Sequence, residues 1–326
     1  MDPRVSTYTE PPEALIGILS RFHAPYALPL IRRLRFTRFP GGCTEYTRIL
    51  WSSSVKLEDY LRYNVGDGVD GRAPFAAAYL DFTRGPETEL WIYSSLEVSA
   101  GLESGVYETG KGGEVEEEEE EEKVFKCLIS LLREVKREQD IYFIPGSMRD
   151  MERQSESILV GNLNEVTRSL LVSRGVDIAS TGLYDKWVFR VDKLPHVEVP
   201  EMLDDGRRLL WDVVRPRDLS IAIVRTDIQR TERTLKLLPS KALYLDDGTP
   251  IAWAFLGPDS SLSSLHCEVP YRGRGFAKAV AVKLLSDRVR EYGDEGVAWA
   301  DVSPDNLQSQ GVCRGLNGEV KWRISW

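Results

Sequence analysis

Leu265-His266-Cys267-Glu268-Val269-Pro270-Tyr271-Arg272-Gly273-Arg274-Gly275-Phe276-Ala277 is the stretch whose reading decides the fold. Residues 262–269 read as a strand. Residues 276–292 read as a helix, with Val280, Val282, Leu284, Leu285 and Val289 apolar. A strand, a glycine-rich turn and a helix in that order suit a phosphate group. The first amides of a helix have no intrahelical partner, and its dipole favours an anion. Gly273 and Gly275 let the backbone approach a ligand, since neither has a Cβ. Arg272 and Arg274 add positive charge, and Ala277 keeps the first turn slim.

Working outward, 241–245 and 251–256 read as strands joined by Asp246-Asp247-Gly248-Thr249-Pro250, a strong turn signal. A strand at 209–214 and a helix at 227–238 precede them. A strand at 296–302, a short helix at 306–314 and a strand at 320–326 follow. In the N-terminal part, 45–52 (EYTRILWS) alternates like a strand, and 74–82 and 89–97 read as a hairpin. Residues 98–116 are Gly- and Ser-rich and read as a loop. Val124, Cys127, Leu128, Leu131, Leu132 and Val135 recur at helical spacing within 117–137. The remaining readings are a strand at 141–144, a helix at 157–174 and a strand at 187–191. The Pro- and acid-rich stretch 193–205 reads as a linker. A chain of 326 residues exceeds the size of one ordinary core, so two domains are expected, 12–195 and 205–326.

With these residues in view, the C-terminal part resembles the GNAT acyltransferase superfamily. Arg272, Gly275 and Ala277 match its Gln/Arg-x-x-Gly-x-Gly/Ala signature after a strand. A second landmark, Ala300-Asp301-Val302-Ser303-Pro304-Asp305-Asn306-Leu307-Gln308-Ser309, is similar to the family's fifth strand and the turn that contacts coenzyme A (CoA). The branch it looks most like is that of the glycine N-acyltransferases, which also carry a degenerate N-terminal half and end in spaced tryptophans, as Trp322 and Trp326 are here. The implied fold is mixed α/β of α+β character, a C-terminal GNAT domain with a degenerate GNAT-like N-terminal half.

The resemblance implies acetyl-CoA or another acyl-CoA as co-substrate, with Arg272, Gly273, Arg274, Gly275, Phe276 and Ala277 at its pyrophosphate and Asn306 and Ser309 beside it. Leu265 and Cys267 would lie along pantetheine, the Cys267 N–H polarising the thioester carbonyl. The acceptor would be a small-molecule amine or an amino-acid-like compound. Its amine must lose a proton, and strand alternation puts His266 and Glu268 on one face as candidate bases. A histidine titrates in the useful range unaided. The sequence departs from the family at three points. Pro270 stands where the glycine acyltransferases carry Glu, Cys313 where many members carry an acid Tyr, and Asn317 where Gly is usual. These departures keep open an acyl-CoA-binding pseudoenzyme or scaffold, and an O-acyltransferase.

Composition excludes other classes. Net charge is −9, but Glu114 and Glu116–Glu122 supply eight of those charges, leaving no basic face for nucleic acid. That acidic run reads as a solvated loop or frayed helix start. Three histidines, and four cysteines without a CxxC pair, argue against a metal site or a disulfide framework. No apolar run is long enough to span a bilayer and no signal peptide is read, so a cytoplasmic protein without membrane association is expected. Residues 105–112 nearly spell a nucleotide loop but lack the Ser/Thr for Mg²⁺. Trp253, Trp299 and Trp322 read as core, Arg225 and Arg230–Arg233 as facing solvent or an acidic substrate, and Cys313 as a buried helix residue.

Overall fold

A computed structural model describes residues 2–63, 73–101, 114–151, 153, 155–179, 181–226 and 228–326. The chain forms two compact units. The first is Met1–Thr37, Cys43–Gly182 and Ile324–Trp326; the second is Arg38–Gly42 and Leu183–Arg323.

In the first unit the order is β1 (Arg4–Tyr8), α1 (Glu13–Phe22), α2 (Leu28–Phe36), β2 (Arg48–Ser53), α3 (Leu57–Tyr63), β3 (Phe75–Leu80), β4 (Leu90–Ser94), α4 (Leu96–Gly101), α5 (Glu114–Tyr142), α6 (Met148–Met151), β5 (Val160–Gly161), β6 (Leu163–Asn164) and α7 (Glu165–Ser173). Strands β1 to β4 pair antiparallel in sequence order, and β5 adds parallel to β4. The expected hairpin is β3–β4. Helix α5 lays Val124, Cys127, Leu128, Leu131 and Val135 on Leu50, Ala76, Ala78 and Leu80 of the sheet, as its spacing requires. Every residue of β3 is buried, because α2 packs on it from the other side.

Three readings of this unit change. Residues 98–101 belong to α4 and 114–116 to α5; 102–113, with the near-nucleotide loop, lie outside the described residues. The strand expected at 141–144 is instead the end of α5, where the Phe143 N–H bonds the Gln139 carbonyl at 2.9 Å and the Tyr142 and Phe143 rings pack on Phe82. The helix expected at 157–174 starts only at Glu165, capped by Asn164 Oδ1 accepting from Val166 N–H. Ahead of it lie the two-residue strands β5 and β6, separated by Asn162 at φ +55°. A Cβ at Gly161 would lie 2.5 Å from Thr88 and 2.6 Å from the Trp326 ring.

The second unit runs β7 (Leu183–Arg190), β8 (Leu209–Asp212), α8 (Leu219–Val224), α9 (Glu232–Leu235), β9 (Ser240–Leu245), β10 (Pro250–Leu256), β11 (Leu262–Cys267), α10 (Phe276–Arg288), β12 (Val297–Val302), α11 (Leu307–Gly315) and β13 (Glu319–Ser325). Strands β8 to β11 form an antiparallel sheet in sequence order, with α10 packed on β9, β10 and β11. Strand β12 pairs with β7, which neighbours β13. Residues 227–238 hold only the single turn α9, because its cap, Thr231, comes late and Pro239 follows. Trp253 and Trp299 are core, as read. No helix among the described residues is long and apolar enough to cross a membrane.

Candidate functional site

Strand β11 and the start of α10 gather most of the residues singled out in the sequence. A register shift lies between the pairs Trp253–His266 and Phe255–Ser263, with Ser264 at φ +50°. Such a bulge bends the strand. Beyond it, Glu268 N–H bonds the Ile251 carbonyl at 2.9 Å, and Cys267 stands opposite Ala252. Antiparallel pairs alternate between bonded and non-bonded, so the Cys267 N–H and C=O face away from β10. The Cys267 carbonyl accepts from Arg272 Nε at 2.9 Å, which fits that direction. On this outer side β11 meets β12 through the single parallel bridge Ser261–Trp299. Past the bridge, among the described residues, no ladder joins the two strands. Leu265 and Cys267 lie on this part of β11, past the bridge.

A 3-10 turn, Val269–Tyr271, leads into the loop, where Gly273 has φ +77° and Gly275, the cap of α10, has φ +83°. Only glycine adopts this left-handed backbone without cost. A Cβ at either position would meet nothing within 4 Å, so conformation and not packing calls for glycine, and the space beside the helix start is open. The first helical bond runs from Ala279 N–H to the Gly275 carbonyl at 2.9 Å. The amides of Phe276, Ala277 and Lys278 therefore precede the ladder. Phe276 is buried and anchors the turn, while Arg272 and Arg274 are exposed. Tyr271 is held by Arg207, whose Nη1 donates to its hydroxyl at 2.9 Å; nothing local in the sequence signals that contact.

His266 stacks on Trp253, ring centroids 4.8 Å apart. Its Nε2 is buried without a hydrogen-bond partner and lies 3.8 Å from Glu268 Oε1. Burial pulls the imidazole pKa below its ordinary value; Glu268 pulls it up, and Arg272 and Arg225 push it down. The two candidate bases are thus together, but their surroundings differ. Arg225, read from the sequence as facing solvent or an acidic substrate, grips Glu268 in a forked pair, Nε to Oε1 at 2.9 Å and Nη2 to Oε2 at 3.4 Å. Arg230, read the same way, reaches Ser263 Oγ at 3.4 Å.

Asn306 caps α11, its Oδ1 accepting from Ser309 N–H at 3.0 Å, so those two residues are brought together at the end of β12. Cys313 is buried, and desolvation pushes its thiol up to about 12. Asn317 occupies the left-handed backbone at φ +58° that favours glycine, and its amide nitrogen donates to the Lys193 carbonyl. Sequence reading missed Lys186, fully buried on β7 and paired with Asp301 of β12. Among the described residues no group of three or more His, Cys, Asp or Glu could hold a metal ion.

Residues 2–197 match the family model described as the acyl-CoA N-acyltransferase verG N-terminal domain. The match spans more than half of the chain, which therefore belongs to that family. No curated protein matches. Among solved structures, a Drosophila protein is similar at 12% identity, with 96% of this chain and 93% of that one covered and a TM-score of 0.59. A tandem GNAT protein from the clavulanic acid biosynthesis pathway is similar at 11% identity, over 99% of this chain and 97% of that one, with a TM-score of 0.50. A GCN5-related N-acetyltransferase from Kribbella flavida has 13% identity, coverage of 77% and 85%, and a TM-score of 0.45. The fold is thus that of two GNAT-like halves.

Proposed function

We propose that the chain is an acyl-CoA-dependent N-acyltransferase, with acetyl-CoA the favoured co-substrate. Its acceptor is the amine of a small molecule or an amino-acid-like compound. The catalytic half is 205–326; 12–195 is a degenerate half that binds no CoA. The observation that carries this reading is the junction of β11 with α10. Two left-handed glycines open the helix start, unladdered amides precede it, and the Cys267 backbone faces away from β10, on the side where no ladder joins β11 to β12 among the described residues. A diphosphate fits the amides of Phe276, Ala277 and Lys278 beside Arg272 and Arg274. Pantetheine fits along Leu265 and Cys267, with the Cys267 N–H donating to the thioester oxygen. Asn306 and Ser309 stand at the end of β12, close to the same path. His266 and Glu268 face the acceptor's amine as candidate bases.

One observation favours the alternative of an acyl-CoA-binding protein without turnover. Cys313 stands where a GNAT acid would stand, yet its buried thiol, pushed up to about 12, does not reach out to a thiolate. Release of free CoA thiol, followed with product mass over panels of amines and alcohols and several acyl-CoAs, separates the readings. Transfer to an amine supports the proposal. Transfer only to an alcohol makes the chain an O-acyltransferase. CoA binding without release from any pair makes it a binding protein. In an active enzyme, His266→Ala should lower the rate by about 10²–10⁴-fold at neutral pH, the usual worth of a general base.

A further inference from the structure

The geometry points to a division of labour among Arg225, Glu268 and His266: Glu268 is committed to Arg225 and serves as a positioning residue, leaving His266 as the group that takes the acceptor's proton. The inference rests on the transferase reading and deepens it.

Glu268 has both oxygens engaged by one guanidinium. With both oxygens accepting from the guanidinium, an amine reaching Glu268 would have to displace Arg225 first. The same Oε1 that meets Arg225 lies 3.8 Å from His266 Nε2. That separation is too long for a hydrogen bond but well within charge range. Nε2 is the ring nitrogen that is buried without a partner. The tautomer carrying its proton on Nε2 aims that proton at the carboxylate and leaves the lone pair on Nδ1. Trp253, stacked on the ring, limits its rotation.

The charged groups around His266 are Glu268 on its own strand, Arg225 after α8 and Arg272 in the loop. Arg230 reaches Ser263 farther along β11. Arg225 therefore acts on His266 twice, by its own charge and by fixing Glu268.

In the step so organised, an acceptor ammonium gives one proton to imidazole. The neutral amine then forms the C–N bond at the thioester carbon. The C–S bond breaks, and the nitrogen's surplus proton ends on the departing thiolate. Amide, free thiol and imidazolium result, and imidazolium returns its proton to water.

The test is an NMR titration of His266 without ligand, its signals assigned by loss in His266→Ala, together with the pH profile of kcat/KM. Arg225→Ala removes a positive neighbour, so the His266 pKa and the acid limb of the profile should both move up. Glu268→Gln removes the negative neighbour, so both should move down. Arg225→Lys should restore values near wild type. Circular dichroism establishes that each variant is folded. Titration shifts that are absent, or equal in sign for both variants, overturn the proposal. So does an acid limb that stays fixed while the titration moves, or a Glu268→Gln variant that loses the limb altogether. An inactive wild type with opposite titration shifts removes the transferase reading and the proton transfer with it, leaving the charge coupling intact.

Discussion

The junction from β4 to α4 in the first unit and the junction from β11 to α10 in the second are built on the same plan and differ in what satisfies the backbone. In the first, the chain supplies its own anion. Glu97, buried in the first turn of α4, accepts from the Ser94 N–H at 3.1 Å and from the Thr167 hydroxyl at 2.9 Å. The second residue of the helix thus reaches back to the last amide of the strand. In the second, no side chain caps α10, and the turn is opened by two left-handed glycines. The first junction closes on a carboxylate from the helix's own first turn, while the second leaves its starting amides without a side-chain partner.

The largest effect should come from closing the second junction. Gly275→Asp puts a side chain on left-handed backbone and a negative charge into the space beside the amides. CoA affinity measured by calorimetry should fall about 100-fold or more, since about 1.4 kcal/mol is tenfold and a misplaced charge costs several times that. Circular dichroism should show the fold retained, because no neighbour lies within 4 Å of that Cβ. Unchanged affinity would remove the loop from the CoA site. Wild type should titrate with one CoA per chain; two would overturn the contrast itself.

Removing the internal anion of the first junction should act on stability and not on ligand binding. Glu97→Ala leaves a buried amide without its carboxylate and costs Thr167 one of its partners. The expected loss is about 2–4 kcal/mol in urea denaturation. CoA stoichiometry should remain one. A second CoA binding to this variant would show that Glu97 alone blocks a site, not that the first unit lacks one.

The glycine loop was legible in the sequence because a left-handed turn restricts residue type locally, and the α5 periodicity because one face of a helix must meet the sheet. Glu97 was equally local, three residues after Ser94, but lay within a stretch read as strand and loop. Contacts set by tertiary register were not legible. Arg225 and Glu268 lie 43 positions apart, and Lys186 and Asp301 lie 115 apart. No spacing rule links such pairs before the strands are placed. The short strand at 160–161 was lost for the same reason, since it is set by its pairing with β4.

A third contrast concerns charge. Glu89, at the start of β4, is raised to about 7 by desolvation, while its Oε2 accepts weakly from Leu159 N–H. A carboxyl whose folded pKa lies above its unfolded value stabilises the fold most at low pH. That contribution fades as pH rises from about 4.5 to about 7. Glu89→Gln should therefore stabilise the protein by about 1–3 kcal/mol at pH 8 and change little at pH 4. An equal effect at both pH values would place the cause in packing instead.

The smallest expected effect sharpens the comparison where the units are most alike. Asn164 caps α7 through Val166 N–H at 3.0 Å, and Asn306 caps α11 through Ser309 N–H at 3.0 Å. Asn164 bonds the second residue of its helix and is buried, whereas Asn306 bonds the third and is exposed. Replacement of either by alanine removes a cap worth about 1 kcal/mol. At Asn164 the freed amide is partly buried, so the loss should reach about 2 kcal/mol; at Asn306 water can replace the side chain, and about 0.5 kcal/mol is expected. Serine, which can also cap, should recover most of the stability at 306. If the exposed carboxamide also meets CoA, as proposed, Asn306→Ser should still bind CoA several-fold more weakly than wild type while melting at the same temperature. Asn164→Ala should bind CoA normally once folded. Full affinity in Asn306→Ser would reduce Asn306 to a cap and make the two asparagines equivalent, leaving the glycine loop and β11 as the features that distinguish the second unit.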